Sequence, residues 1–352
     1  MSMNENNTQG MWPVNQLFLL TATMLITIFL LKAASAVIVP FLIAVAVSII
    51  LAPLFTRLES KHIPKPVSLI VVILLSLLPI ILLGGYVAEQ AGEFAANYQS
   101  IKANFMQSLQ AFIAQLGHYG IHIDDAKLNA VLEKSNIAGI LKNLAAQANE
   151  QFSNIFLIFF MVAFMLMEST YFYNKMMKIA KDYQVDGNVM LELLEKIKSY
   201  FSIKVKTSLL TAVWAFTVLW YYEIPYYYLW AVLAFALNFI PVIGSILAAI
   251  PAIVFALISH GIGTTLWVAL WYVIINMVVG NILEPKIMGK GLGLSALVIF
   301  LSMTFWGWVF GPAGMILSVP LTMTVQYLFG QYQETEWIAL LLSDYETENK
   351  GI

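Results

Sequence analysis

The two longest apolar runs of the chain are residues 226–259, YYYLWAVLAFALNFIPVIGSILAAIPAIVFALIS, and residues 294–327, LSALVIFLSMTFWGWVFGPAGMILSVPLTMTVQY. Each run holds 34 residues, so a straight helix of either would be about 51 Å long at 1.5 Å per residue. The hydrocarbon layer of a bilayer is only about 30 Å thick. Neither run fits the membrane as one ordinary spanning helix.

Proline and glycine interrupt both runs near the middle. The first run is broken by NFIPVIG at residues 238–244, and the second by Gly307 and by GPAG at residues 311–314. Because proline removes a backbone donor and glycine weakens a helix, each run is expected to form two arms of about 12 to 14 residues. Each arm would cross little more than half of the bilayer. The pattern therefore predicts two broken helical hairpins.

The composition of the whole chain indicates a membrane protein. Of its 352 residues, 60% are hydrophobic and 11% are charged, and the mean hydropathy is +0.81. This mixture excludes a soluble fold. Six further apolar runs have the length of ordinary spanning helices. They are residues 14–31, 33–55, 67–88, 152–173, 207–222 and 262–283. The predicted fold class is an all-α polytopic membrane protein, with six spanning helices, two broken hairpins and an extramembrane helical hairpin.

Basic residues predict the orientation, because lysine and arginine favour the cytoplasmic side in short loops. Cationic connections lie at residues 57–65, 175–206 and 286–290, whereas the connection at residues 221–228 has no lysine or arginine. All three cationic connections fall inside if both termini are cytoplasmic, the six ordinary runs cross, and each long run enters and leaves by one face. We therefore expect re-entrant hairpins from opposite faces. Full spanning by the long runs stays open, because the rule is statistical.

Two polar segments are expected to be helical outside the membrane. Residues 89–151 carry apolar side chains every three or four positions, which predicts a helical hairpin packed on itself or on a neighbouring subunit. Residues 175–206 are amphipathic, so they could lie along the inner membrane surface or form a solvated connector. The acidic tail after Gln331 is expected to be a mobile terminus. The predicted organisation is 1–88 N-terminal tail and first three spans, 89–151 external helical hairpin, 152–206 fourth span and cytoplasmic amphipathic helix, 207–330 transport core, and 331–352 acidic cytoplasmic tail.

Sequence signatures of enzymes are missing. The chain has no cysteine, which excludes disulfides, thiolate nucleophiles and thiolate metal sites. His118 and His122 are four apart, but glycines flank them and no glutamate completes a zinc motif. The chain also has neither a phosphate loop nor a G-x-S-x-G elbow, and its membrane runs contain no aspartate. We expect no enzyme activity, no cofactor, no metal and no nucleic-acid partner.

The broken runs are the best candidates for a solute path. Irregular backbone at membrane depth is tolerated only where protein covers it or where it lines a cavity, and paired broken helices often mark the substrate site of secondary transporters. We expect the two tips to meet near the midplane and to hold a polar, weakly charged solute. The alternative is that proline and glycine only permit close packing in a passive bundle. The candidate path residues are Asn238, Pro241, Gly244, Ser245, Ser302, Thr304, Gly311, Pro312 and Gly314.

Three acidic residues are candidates for coupling transport to protons or sodium, because ionisable groups are costly to bury in a membrane. They are Glu168, Glu223 and Glu284. All three lie near predicted span ends, where a carboxylate can reach water or a lysine, so an interfacial role is the alternative for each. We expect at most one of them to support coupling.

The residues around both breaks resemble a known family. The stretches AFALNFIPVIGSILAAIPA, residues 234–252, and NILEPKIMGKGLGLSALVIFLSMTFWGWVFGPAGMILSVPLTM, residues 281–323, are similar to the autoinducer-2 exporter family of bacterial membrane proteins. The similarity runs from the first span through the second broken run and is weakest in the external hairpin. The matching motif residues are Asn238, Pro241, Gly244, Pro251, Asn281, Pro285, Gly289, Gly311, Gly314 and Pro320.

The resemblance implies a multi-pass exporter of small solutes in the bacterial inner membrane. In some members the solute is the quorum signal autoinducer-2, and in others sodium or lithium is exchanged for protons. It also implies a homo-oligomer, suspected to be a pentamer, whose other partners are the solute and membrane lipid. The scarcity of buried acids favours a neutral metabolite. A sodium/proton antiporter, a non-transporting oligomeric scaffold and a passive pore stay open as alternatives.

Overall fold

The computed structural model describes residues 14–117, 154–169, 171, 174, 175, 177, 178, 187–241, 243–288 and 293–344. The returning half of the expected external hairpin, the two histidines at 118 and 122, and the motif residue Gly289 lie outside these ranges. The regular secondary structure within them is helical. The helices are α1 (Val14–Ala33), α2 (Ser35–Ser60), α3 (Lys65–Ala96), α4 (Tyr98–Gly117), α5 (Asn154–Ser169), α6 (Gly187–Tyr221), α7 (Tyr227–Leu237), α8 (Gly244–Asn276), a π-helical segment (Met277–Leu283), α9 (Glu284–Met288), α10 (Ala296–Phe329) and α11 (Glu336–Leu342).

Most of these helices are apolar enough for a membrane. Within the described ranges, five are long and apolar enough to cross it, namely α2, α3, α6, α8 with the π-helical segment, and α10. The other apolar helices are shorter and include α5 and α7. The chain is an all-α polytopic membrane protein, as predicted.

Helix α10 folds back on itself. The Gln326 side-chain nitrogen donates to the carbonyl of Gly293 at 2.9 Å, although the two residues are 33 apart. A straight helix of that length would separate them by about 50 Å. The chain reverses at Gly311, whose φ of 66° and ψ of −149° are not helical. Across the two arms, the Trp306 indole nitrogen donates to the Thr322 hydroxyl at 3.0 Å. The second predicted helical hairpin is confirmed.

The first hairpin consists of α7 and the first part of α8. The Trp230 and Phe255 rings of its two arms lie 5.1 Å apart. The chain reverses again farther along α8, where Gly261 has a φ of 70° and a ψ of −171°. A straight helix over the 40 residues from Gly244 to Leu283 would be about 60 Å long. Asn238, in the turn before its start, and Glu284, directly after its end, nevertheless contact one side chain, that of Lys204. The first hairpin is therefore confirmed, and a third antiparallel arm follows it.

The junction between α1 and α2 differs from the prediction. Runs 14–31 and 33–55 were expected to cross in opposite directions, which requires a loop that reverses the chain. Instead, the Ala34 N–H donates to the Leu30 carbonyl at 2.9 Å, and the Ala34 carbonyl accepts from the Ile38 N–H at 3.0 Å. The sequence KAASA at residues 32–36 contains neither proline nor glycine, so nothing there interrupts a helix. The helical hydrogen bonding continues from α1 into α2.

Helix α6 also differs from the prediction, because it runs without a break through the expected boundary at residues 206 and 207. Its apolar stripe packs into a buried cluster with α10 and with Ala46 of α2 rather than along a membrane surface. Stripe residues Leu193, Ile197 and Phe201 contribute to this cluster. Lys204, which follows these residues, is thereby carried into the protein.

The segment after residue 331 contains a further helix that the sequence did not predict. Helix α11 packs against α10. Ser295 N–H donates to the Leu342 carbonyl at 3.3 Å, and the Gln326 side chain donates to the Ala339 carbonyl at 3.4 Å. The described part of this tail is therefore attached to the open end of the second hairpin.

Candidate functional site

Helix α6 carries a stripe of buried polar side chains. They recur every three or four residues, so they share one face of the helix over about 17 Å. Lys204 is only 6% exposed, whereas lysine is almost never fully buried unless it is paired. The stripe consists of Tyr200, Lys204, Thr207, Ser208 and Thr211.

Lys204 forms a buried ion pair with Glu284 of α9. Its ammonium nitrogen donates to the two carboxylate oxygens at 2.8 and 2.9 Å, and to the backbone carbonyl of Asn238 at 3.3 Å. The Thr207 hydroxyl donates to the same carboxylate at 2.9 Å. The two charges are balanced and hydrogen-bonded, as burial of charge requires. One side chain therefore connects α6, the tip of the first hairpin and α9.

The tip of the first hairpin is held on α6 at two points. Besides the carbonyl bond to Lys204, the Asn238 side-chain nitrogen donates to the Ser208 hydroxyl at 3.0 Å. Pro241 is buried in the tip, and Ser245 is half-buried at the start of the second arm. Gly244 is buried where the arms meet, and a Cβ there would lie 1.8 Å from the Leu237 carbonyl oxygen. The close approach of the two arms therefore requires glycine.

The Tyr200 hydroxyl completes this site, which we call the tip cluster: Tyr200, Lys204, Thr207, Ser208, Asn238 and Glu284. The side chain is 1% exposed, and its hydroxyl has no hydrogen-bond partner among the described residues. It interacts electrostatically with the Glu284 carboxylate. Since buried polar atoms are nearly always hydrogen-bonded, this unpartnered hydroxyl is an unusual feature of the site.

The predicted path residues of the second hairpin have different surroundings. Ser302 is buried, whereas Thr304 is exposed and donates to the Phe300 carbonyl at 3.1 Å within its own helix. Gly311 forms the turn and Pro312 beside it is exposed. Gly314 is buried, and a Cβ there would lie 1.9 Å from the backbone oxygen of Trp306. These features describe a close helical turn rather than a polar pocket.

The structure does not bring the two tips together. The first tip lies on Lys204 and Ser208 of α6. At the second tip, the Trp308 ring lies 6.4 Å from the Phe29 ring, and the Lys32 ammonium lies 3.8 Å from the Trp308 ring centroid. The expectation of one shared site at the midplane is not met, because each tip packs on a different helix.

The three acidic candidates differ in exposure and in their contacts. Glu168 is exposed and pairs at 2.7 Å with Lys175, which is exposed too. Glu223 is exposed in the turn between α6 and α7, at a φ of 53°. Glu284 has a side chain that is only 15% exposed, and it lies in the tip cluster. It is the acidic candidate whose protonation would disturb buried contacts.

Sequence reasoning missed the α6 contribution to this site. Lys204 was counted with the cytoplasmic lysines of residues 175–206, and Tyr200 and Thr207 were not singled out. The available signal was the spacing of polar residues at positions 200, 204, 207, 208 and 211 within an apolar helix. Gly261 was missed as well, since no proline marks it.

Comparisons with known proteins agree with this architecture. A family described as AI-2E family transporter matches residues 17–334. The AI-2 transport protein TqsA of Escherichia coli (strain K12) is 35% identical over 319 residues, which cover 90% of this chain and 92% of that protein. A putative transport protein of Haemophilus influenzae is 34% identical over 331 residues, covering 92% and 95%. The putative transport protein YhhT of Escherichia coli (strain K12) is 28% identical over 321 residues, covering 91% and 92%. The chain is therefore a bacterial membrane protein that belongs to the AI-2E family of transporters.

Proposed function

We propose that this protein is a secondary transporter, not an enzyme, that exports a small polar solute across the bacterial inner membrane. The solute would be an autoinducer-2-like signal or a related metabolite, by analogy with the relative named as an AI-2 transport protein. The tip cluster, where a broken helix meets buried polar side chains, is the observation that supports this function best. Discontinuous helices of this kind commonly hold the solute in secondary transporters.

The charges of the tip cluster favour a neutral solute. Lys204 and Glu284 balance each other, and the other members of the cluster are neutral hydroxyls and an amide. A free anion would compete with Glu284 for the ammonium, and a free cation would compete with Lys204 for the carboxylate. A solute with hydroxyl or carbonyl groups could instead use Tyr200 without breaking the ion pair.

Glu284 keeps sodium/proton exchange as the second candidate function, because a buried carboxylate can bind either ion. The ammonium of Lys204 already contacts both of its oxygens, which supports the solute exporter more strongly. A scaffold or passive pore is the third candidate. Flux through reconstituted protein separates these functions. A carrier gives saturable solute flux, an antiporter gives sodium-dependent proton flux, a pore gives unsaturable flux, and a scaffold gives none.

Changing Tyr200 to Phe tests the role of the tip cluster in solute binding. We expect the variant to fold normally, since its hydroxyl has no partner in the described protein. The KM for export should rise about three- to tenfold, which corresponds to the loss of one hydrogen bond to the solute. The matched control is Tyr272 to Phe, which removes another buried, unpartnered hydroxyl from an apolar cluster. Equal KM values for the two variants would contradict the assignment.

We further propose that the protein is a homo-oligomer surrounded by membrane lipid, and that each hairpin enters and leaves by one face. The absence of cysteine permits a direct test of this topology. Single cysteines replacing Ser100 and Ser259, both exposed, should react with an impermeant thiol reagent in intact cells. Cysteines replacing Lys181 and Lys290 should react only after permeabilisation. Labelling of the Lys290 site from outside would overturn the two-hairpin topology.

The cytoplasmic position of both termini stays a prediction, and the same labelling experiment can test it. The continuous hydrogen bonding at Ala34 makes the N-terminus the informative end. A cysteine replacing Ser2 should be protected in intact cells if α1 crosses separately from α2. Its reaction with the impermeant reagent would show that α1 and α2 together cross only once.

A further inference from the structure

Lys204 lies between the two most irregular pieces of backbone near the tip cluster. On one side is the tip at residues 238–243, where the Ile240 N–H donates to the Leu237 carbonyl at 2.8 Å in a tight turn. On the other side is the π-helical segment Met277–Leu283, which ends directly before Glu284. π-helical turns are rare and often occur at functional sites.

We propose that the Lys204–Glu284 ion pair is a proton-operated latch, which holds the first hairpin tip closed until Glu284 is protonated. This inference rests on the proposed transport function and identifies its coupling site. A proton taken from water forms an O–H bond on one carboxylate oxygen, and the ion pair with the ammonium is lost. Lys204 keeps its positive charge, so the pair changes from net neutral to one positive charge. Loss of the proton to the other side of the membrane restores the ion pair.

The groups around Glu284 identify the cation that its protonation would release. The described elements that pack against α9 are α6 and the π-helical segment. From α6, the titratable groups that act on Glu284 are Lys204 and Tyr200. The π-helical segment and the hairpin tip contribute none, and Lys286 of α9 itself is exposed. Lys204 is therefore the cation whose contacts depend directly on the charge of Glu284.

Opening the latch would affect the first hairpin tip through the ammonium nitrogen of Lys204. The Lys204 ammonium donates to the carboxylate and to the Asn238 carbonyl at the same time. Once the carboxylate is neutral, the ammonium is no longer fixed between the two segments, and its bond to the tip is left without the counter-charge. The Asn238 side chain would still donate to the Ser208 hydroxyl. A protonation event on α9 is thereby transmitted to the hairpin that carries the predicted solute path.

The deciding experiment replaces both charges at once, with Lys204→Gln and Glu284→Gln in one variant. Together the two changes leave no unpaired buried charge, so we expect folded oligomer to form. Reconstituted wild-type protein should export faster under an imposed proton gradient, whereas the double variant should export at a measurable rate that the gradient does not change. Loss of all export by the folded double variant would overturn the latch. The matched control is Glu168→Gln with Lys175→Gln, which neutralises an exposed ion pair and should keep the gradient response. A double variant at Lys204 and Glu284 that keeps the gradient response would overturn the latch.

A second measurement applies even if that variant folds poorly. A cysteine replacing the half-buried Ser245 reports on the tip, and one replacing the exposed Ser259 reports on thiol reactivity at the same pH. Each cysteine is introduced into otherwise unchanged protein. The labelling rate at position 245, divided by the rate at position 259, should rise several-fold from neutral to acidic pH. A constant ratio would overturn the latch. No flux at all from unaltered protein would instead contradict the proposed transport function, whereas saturable flux without a gradient response would contradict the latch alone.

Discussion

Changing Lys204 to Met should lower the free energy of unfolding by about 3 to 5 kcal/mol, because it leaves a buried carboxylate without its cation. The Glu284 side chain is only 15% exposed, so water cannot replace the ammonium efficiently. Methionine preserves most of the volume of the side chain but supplies no donor. Among the described residues, the Thr207 hydroxyl bond at 2.9 Å would be the one that remains to the carboxylate. The measurement is thermal unfolding of purified protein in detergent, together with the yield of folded oligomer.

The control for this prediction is Lys206 to Met, two residues farther along the same helix, where the lysine is exposed. That variant should stay within about 0.5 kcal/mol of the unaltered protein. Adding Glu284 to Gln should recover much of the stability lost by the Lys204 variant, because it removes the stranded charge. Equal stability of the two lysine variants would show that Lys204 does not carry the predicted ion pair.

Both hairpins could be predicted from sequence because their breaks are local. Proline and glycine act on the residues next to them, so Pro241 and the Gly311–Pro312 pair indicated where each run bends. The length of each run then excluded one straight helix. Nothing beyond covalent geometry and membrane thickness was needed for this step.

The tip cluster could not be predicted in the same way, because it depends on contacts between residues far apart in the chain. Lys204 and Glu284 are 80 residues apart in the chain. In the sequence, Lys204 is one of several lysines in a segment that was predicted to be cytoplasmic. Its burial follows only once α6 is known to continue through residue 206. The separation of the two tips likewise depends on how helices pack, which local breaks do not determine.

The glycines show where local reasoning reaches its limit. Gly311 and Gly261 adopt nearly the same backbone conformation, with a φ near 66° and 70°. Only Gly311 was recognised, because a proline follows it, whereas Gly261 stands in SHGIG without one. Gly311 was predicted as a residue of the solute path. A Cβ added there would meet nothing within 4 Å, so its positive φ rather than its size is what requires glycine.

Changing Gly244 or Gly314 to Ala should have the other large effect on this protein. The added Cβ would lie 1.8 Å from the Leu237 oxygen or 1.9 Å from the Trp306 oxygen. Each of these oxygens is a backbone atom of the hairpin that contains the glycine. No side-chain rotation can therefore relieve the clash, and the two arms of that hairpin must separate. Overpacking typically costs about 1 to 3 kcal/mol, and we expect these variants at the upper end. The control is Gly263 to Ala, where nothing lies within 4 Å and φ is ordinary.

The yield of folded oligomer and the export per folded molecule together decide what these glycines do. If they serve packing alone, folded yield falls in both alanine variants while each folded molecule exports at the normal rate. If the first tip moves during transport, Gly244 to Ala should also reduce export per folded molecule, since the separated arms displace Asn238 from Lys204 and Ser208. Gly314 to Ala should then lower the yield without this second loss, because its hairpin lies away from the tip cluster. Equal loss of export per folded molecule in both variants would contradict the assignment of the solute path to the first hairpin.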